Sequence, residues 1–411
     1  MRVSFLPLAS IAFASALAGK QALIVISVDG LDNRYLQNAD RMGLQIPNLR
    51  RMMREGEFSK GVIGVVPTIT WPSHTTLITG VDPVAHGILG NQKPKSEGGD
   101  YYWSASSIRT PTLLQAAHDA GRAIATITWP VTVDAPVDWN LPEYFHRRRG
   151  GSMDLQSIAS KSKPADLVRK ISAVYPSFGQ EWMDDRTRTL ATIYLLRNEH
   201  PDLTLVHFVD LDSEEHDNAP FSPEANAVLE RTDELIGKIQ AAMPAGSAMA
   251  VVSDHGFERV NTMVNLKALA AKQGVAGVAL FGGIAIARDE AAGEFLRKLS
   301  KDPQYGVARE ISRDELARFP STLPSNAAAV FEAADGFMFR DTPNGEIFSK
   351  PREIGNHGHW PMRYRAVYIL WGPGIPHEVL PEFSMKEIAG RLAKALGVRF
   401  VAATPAGSGN R

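Results

Sequence analysis

The stretch ALIVISVDG, residues 22–30, decides the architecture. Residues 22–28 form an apolar, β-branched run interrupted only by Ser27, with no polar face. Such a run reads as a strand buried on both sides, the kind found at the centre of a parallel sheet. It ends at Asp29-Gly30, a pair that favours a turn. The same plan recurs further along. Residues 203–209 (LTLVHFV) run into the acidic DLDSEEH at 210–216, and residues 248–252 (AMAVV) run into SDHG at 253–256.

Working outward, shorter strands are expected at 61–66, 123–128 and 366–370. Helices are expected at 47–55, 184–199, 223–242 and 387–396. The first carries Leu49, Met52 and Met53 at helical spacing and stops at Gly56. Another is expected from Thr110-Pro111 to Ala120, with proline in its first turn and Gly121 as its stop. Strand and helix alternate, so the fold class is α/β: a mostly parallel central sheet with helices on both faces. Residues 131–165 are rich in Pro, Gly, Ser and charge and read as a long loop.

Residues 257–354 break the alternation and read as an inserted cap subdomain. Within them we expect a strand pair at 275–287 turning at Gly282-Gly283, a helix at 289–300 and a strand-like stretch at 330–339. The catalytic core is then 21–256 with 355–403, and 404–411 is a flexible tail. Residues 1–20 have the form of a signal peptide: Arg2, an apolar stretch at 5–18, and Ala16-Leu17-Ala18 fitting the A-x-A cleavage pattern. The stretch is short for a membrane span. The expectation is a periplasmic or secreted protein with no membrane span after cleavage.

The chain has 411 residues, 44% of them hydrophobic, enough for a large core, and a formal charge of -1. That balance carries no electrostatic footprint for duplex nucleic acid. A cysteine count of 0 excludes thiolate metal sites and cysteine nucleophiles.

Seven residues concentrate chemistry: Asp29, Thr70, Asp212, His216, Asp254, His255 and His357. Most follow apolar runs, where an open α/β sheet delivers its ligands to one edge. Three carboxylates, three imidazoles and a hydroxyl suffice for two divalent metals and a nucleophile, which points to metal-assisted attack on a phosphoryl or related centre. Asp212 and His216 are spaced to reach one cation from a single turn, in a very acidic loop. Asp254-His255-Gly256 sets two ligand types at a strand end, with a glycine that permits close approach. His357 lies in GNHGHW, with His359 nearby. In PTITWPSHTTLITG (67–80), Thr68, Thr70, Ser73, Thr75 and Thr76 all compete for the nucleophile on chemistry alone, before a helix beginning near Pro72.

The run VDG…PTITWPSHTTLITG…HGILGN, followed by DSEEH, SDHGF and GNHGH in this order, resembles the alkaline phosphatase superfamily. It is most similar to the nucleotide pyrophosphatase/phosphodiesterase branch. The resemblance implies two zinc ions, other divalent metals being possible. Asp29, Thr70, Asp254 and His255 would hold one; Asp212, His216 and His357 the other. It makes Thr70 the nucleophile, forming a phospho-threonine, with Asn91 binding a phosphoryl oxygen beside the Thr70 N–H. Trp71 would stack on a substrate base.

Tyr144, with Tyr101, Trp103, Trp129 and Trp139, is a candidate for an aromatic wall. The substrate implied is a small phosphodiester or nucleotide. A K-x-R element for a dianionic monoester is not evident after Trp129-Pro130, though the basic run at 146–149 is a possible substitute. Alternatives are a phosphomonoesterase, or a phosphonate or sulfate ester hydrolase, on the same metals, and a non-catalytic metal-containing binding protein.

Overall fold

The computed structural model describes residues 21–145, 155–179, 183–319, 323 and 327–403. The segment 1–20, the basic run at 146–149 and the tail 404–411 lie outside the described residues. The main sheet has eight strands: β1 (Leu23–Val28), β2 (Glu57–Ser59), β3 (Ile124–Ile127), β4 (Trp139–Leu141), β5 (Leu203–Phe208), β6 (Ala248–Val252), β7 (Tyr368–Trp371) and β8 (Glu378–Leu380). Their order across the sheet is β8-β2-β7-β6-β1-β5-β3-β4. Strand β1 pairs in parallel with β5 and β6, while β7 is antiparallel to both its neighbours.

Burial explains why residues 22–28 show no polar face. Ile24, Ile26 and Val28 pack on one side, against α1 (Pro47–Glu55), α4 (Asp185–Asn198) and α6 (Pro223–Ala242). Leu23 and Val25 pack on the other, against α2 (Thr70–Thr79), α3 (Leu113–Asp119) and α7 (Ile388–Leu396). Each such fully buried aliphatic contributes about 1.5–3 kcal/mol of transfer free energy, so the central strand is fixed from both faces. Its parallel neighbours end at the same edge, where Asp29 N donates to Phe208 O at 2.9 Å.

Several local expectations need correction. The acidic stretch after β5 is not a loop but helix α5 (Asp210–Asn218). Its N-terminus is locked reciprocally with that of α4: Asp185 N donates to the Asp210 carboxylate, and Val209 N and Asp210 N donate to the Asp185 carboxylate. Residues 131–165 are not all loop, because β4 pairs with β3 there and a helix forms at Leu155–Lys161. Helix α3 starts after Pro111, at Leu113, with Thr112 as its side-chain cap. Helix α2 begins at Thr70 rather than Pro72.

Residues 258–356 build two smaller sheets. Val278–Phe281 and Ile284–Ala287 form a hairpin through Gly282-Gly283, in a four-stranded sheet with Val307–Glu310 and Ala329–Ala333. The stretch at 330–339 is two strands rather than one, since Gly336 turns the chain at φ +79 and Gly336–Phe339 joins Glu258–Val264 instead. The Gly282-Gly283 turn leans on the segment holding His357: Gly283 N donates to Gly358 O at 3.2 Å. A Cβ on Gly283 would stand 2.2 Å from His359 Nδ1, so this contact admits only glycine.

Candidate active site

The sheet edge brings Asp29, Asp212, Asp254, His255 and His357 into two overlapping groups. One is Asp29, Asp254 and His255; the other is Asp212, His255 and His357; within each, ligand atoms lie within 4.8 Å of one another. His255 Nε2 stands 3.0 Å from Asp254 Oδ2 and 3.3 Å from Asp29 Oδ1. Asp212 Oδ1 lies 3.6 Å from His216 Nε2 and 3.8 Å from His357 Nε2. His255 is therefore shared between groups that the family resemblance had kept apart, and its ring stacks on His357 at 3.8 Å between centroids.

Hydrogen bonds orient these rings. His216 Nδ1 is 3.1 Å from Gly355 O, and His357 Nδ1 is 3.1 Å from Thr68 O. Each Nδ1 carries the hydrogen for its carbonyl, so each Nε2 presents a lone pair toward Asp212. Asp29 Oδ1, Asp212 Oδ1, Asp254 Oδ2 and His255 Nε2 are buried yet make no hydrogen bond. Acceptor atoms crowded together without hydrogen-bond geometry suit lone pairs aimed at a shared cation, and mixed oxygen and imidazole donors suit zinc-type dications.

Burial dominates the electrostatics. It pushes the carboxyls of Asp29 and Asp254 well above the usual range, with Asp212 adding repulsion at Asp29 and Asp29 at Asp254. Burial also raises Asp212, which His216 partly offsets. It depresses His255 strongly and holds His357 at about 3, where neighbouring imidazoles add to the effect. Carboxylates that resist ionisation beside imidazoles that resist protonation favour a positive charge supplied from outside the chain.

Thr70 is the first residue of α2 and is 9% exposed. Its carbonyl lies 2.8 Å from His74 Nδ1, itself 3.6 Å from Asp254 Oδ2. Three of the four competing hydroxyls are engaged elsewhere, and the fourth, Ser73 Oγ, is buried without a hydrogen bond. Thr68 Oγ1 donates to His359 O, Thr75 Oγ1 to Trp71 O and Thr76 Oγ1 to Val81 O, while Ser73 is fully buried. Asn91 Oδ1 accepts from Trp71 N at 3.0 Å, one residue beyond the N–H expected beside it. This bond leaves the Asn91 amide N–H₂ group as the donor.

Trp71, expected to stack on a substrate base, is itself covered by other rings. Trp71 is 2% exposed and carries Tyr101 and Trp103 at ring centroid distances of 5.2 and 5.3 Å. Tyr144 and Phe145 continue the group, at 5.1 and 4.8 Å from Trp103. The partly exposed faces are those of Tyr101, Trp103 and Tyr144, and Trp71 is the floor beneath them. Trp129 is buried behind the site, edge-on to His74. His359 is buried and joins neither ligand group.

Sequence reading missed His207, Glu143 and His74. His207 Nε2 is 3.0 Å from Asp29 Oδ2, and its Nδ1 is 3.0 Å from Glu143 Oε2. The available signal was an imidazole inside an otherwise apolar strand.

Fold and site together define an alkaline phosphatase-like α/β protein with a carboxylate–imidazole cluster at its sheet edge. A family model, type I phosphodiesterase / nucleotide pyrophosphatase, matches residues 23–359, and the chain belongs to that family. Venom phosphodiesterase of Macrovipera lebetinus is 24% identical over 246 residues, 58% of this chain and 26% of that protein. Ectonucleotide pyrophosphatase/phosphodiesterase family member 3 of Rattus norvegicus is 22% identical over 256 residues, 58% of this chain and 25% of that protein. The chain thus spans about a quarter of the length of these relatives.

Among solved structures, human ectonucleotide pyrophosphatase/phosphodiesterase 5 matches with a TM-score of 0.65 at 17% identity, over 93% of this chain and 96% of that one. The murine counterpart is represented in an inactive threonine-to-alanine form in complex with AMP, with a TM-score of 0.64 at 18% identity over 94% and 97% of the chains. Phosphonoacetate hydrolase from Sinorhizobium meliloti 1021, in complex with phosphonoacetate, matches at 0.65 and 21%, over 92% and 96%.

Proposed function

We propose that this chain is a two-zinc phosphodiesterase or nucleotide pyrophosphatase that works through a phospho-threonine on Thr70. The observation carrying the reading is the convergence of Asp29, Asp254 and His255 with Asp212 and His357, all with acceptor atoms turned toward one another. Asp29, Thr70, Asp254 and His255 would hold one metal, and Asp212, His216 and His357 the other. Bound there, a pair of dications supplies Lewis-acid charge for phosphoryl and leaving-group oxygens and lowers the pKa of the Thr70 hydroxyl.

The chain's own part begins with Thr70 Oγ, its proton released to solvent, attacking phosphorus in line. The bond to the leaving alkoxide or phosphate breaks as the bond to Thr70 forms. The Asn91 amide donates to a non-bridging oxygen on which charge accumulates. Water then hydrolyses the phospho-threonine and restores Thr70. Tyr101, Trp103 and Tyr144 offer apolar faces for a base or aryl group. The solved murine relative with AMP supports a nucleotide, and its inactive threonine-to-alanine form supports a threonine in this role.

A diester is favoured over a monoester by the family that the chain matches and by the lack of an evident K-x-R element after Trp129-Pro130. A dianionic monoester calls for an added cationic side chain, whereas a monoanionic diester does not. The test compares an aryl phosphodiester with the matching monoester on one zinc-loaded sample of measured metal content. The diester is expected to have the higher kcat/KM; equal or greater monoesterase efficiency overturns the assignment.

Among the described residues no helix is long and apolar enough to cross a membrane. We further propose export to the periplasm or medium, from the signal-like sequence at 1–20. Recovery of the full-length chain in the cytoplasmic fraction would contradict export.

A further inference from the structure

We infer that His207 is a positioning residue that ties Asp29 to Glu143 and so sets metal affinity at the Asp29 group. This rests on the metal-site reading above.

His207 is fully buried in β5, directly opposite Ser27 in the β1–β5 register. Its ring bridges two carboxylates, with Nε2 3.0 Å from Asp29 Oδ2 and Nδ1 3.0 Å from Glu143 Oε2. Asp29 therefore has two differently engaged oxygens: Oδ2 faces His207, and Oδ1 faces His255 without a hydrogen bond. The hydrogen bond between His207 Nε2 and Oδ2 fixes the carboxylate's rotation and leaves Oδ1 as the ligand atom.

The clamp extends behind the ring. The Thr128 carbonyl lies 3.2 Å from His207 Nδ1, and Thr128 Oγ1 donates to His207 O at 3.0 Å. Thr128 holds this position at φ +48, a left-handed conformation costly for a β-branched residue. Buried Arg188 donates from Nε to Thr128 Oγ1 at 3.0 Å, which holds Thr128 in turn. A strained residue gripping the imidazole at both its ring and its backbone indicates that ring orientation, not filled space, is what this segment secures. Partners of this kind behind a metal ligand typically alter metal affinity by about 10–100-fold.

The two amides that imitate histidine separate the possibilities. His207→Gln can place a donor where Nε2 meets Asp29; His207→Asn can place one only where Nδ1 meets Glu143; His207→Phe keeps bulk alone. Each full-length variant is equilibrated with zinc at chelator-buffered free concentrations, and bound zinc per chain is measured. Cobalt-loaded samples supply an absorption spectrum as a second readout.

His207→Gln is expected to bind within about threefold of the unsubstituted chain, while His207→Asn and His207→Phe weaken one of two sites by about 10–100-fold. Their cobalt spectra should change, whereas that of His207→Gln should not. If substitutions in β5 prevent folding, Glu143→Leu and Glu143→Gln replace them: the first should weaken the same site, the second, which keeps an acceptor for Nδ1, should not. Unchanged affinity in His207→Asn and His207→Phe overturns the inference, as does equal loss in all three variants. An unsubstituted chain that binds no metal overturns both this inference and the metal-site reading, so the two failures are distinguishable.

Discussion

Stripping metal should destabilise the protein, and by an amount that grows with pH. Without a cation, burial holds the Asp29 and Asp254 carboxyls well above their usual range. A group whose folded pKa is raised contributes stability below its unfolded value, lost as pH rises through the folded value. The imidazoles act oppositely. His357, held at about 3, contributes stability above its unfolded value of about 6.5, lost as pH falls toward 3. Above pH ~6.5 the imidazole contribution is complete, so any remaining slope in the stripped protein comes from carboxyls and runs downward.

Metal binding needs those same carboxylates and imidazoles deprotonated, so it strengthens over the same range. Each dication at a hundredfold excess over its Kd contributes about 2.7 kcal/mol, and two sites about 5 kcal/mol. A chain of 411 residues has an unfolding entropy of ~0.9 kcal/mol per kelvin, so the melting midpoint should rise by roughly 6 °C. The assay is calorimetry of chelator-stripped and zinc-restored samples at several pH values from 5 to 8. The gap should widen as pH rises. No gap, or one that narrows toward pH 8, refutes the reasoning.

Other substitutions separate packing from recognition. Trp71→Ala should cost about 3–5 kcal/mol of stability, as expected for a buried aromatic, read from urea midpoints. Trp103→Ala, on the more exposed side of the same cluster, should cost less stability than Trp71→Ala and raise KM for an aryl or nucleoside diester by up to about tenfold. Gly30→Ala should cost about 2 kcal/mol or more in the same urea measurement. Its φ is +75, and a Cβ there would meet Glu215 Oε2 at 2.7 Å and Phe257 at 2.9 Å.

The main frame of this fold was legible because local signals and burial agreed. Pro47 and Pro223 mark the first turns of α1 and α6, and β1, apolar but for Ser27, and the all-apolar β6 identify themselves as central strands. Strand β4 was hidden because three residues in a Pro-rich stretch become a strand only through pairing with β3. Helix α5 was read as a loop because its acid density argues against a compact element. The structure answers that density with ordered placement: Glu215 accepts from Tyr35 Oη at 2.7 Å, and Asp210 is tied to Asp185.

In the site, the ligand candidates stood out as Asp and His at strand ends. The support behind them did not. His207 lies in an apolar run, and nothing in one sequence reveals that it faces Ser27 across the sheet and reaches both Asp29 and Glu143. The surroundings of Trp71 were hidden for a related reason: its chemistry suits stacking, but nothing local shows that Tyr101 and Trp103 cover it.

The most direct test of the central claim is Thr70→Ala, with turnover of an aryl phosphodiester and zinc content measured on the same preparation. If Thr70 is the nucleophile, kcat falls by about 10³-fold or more while bound metal largely survives. Turnover within about tenfold of the unsubstituted chain, at undiminished metal content, would contradict it.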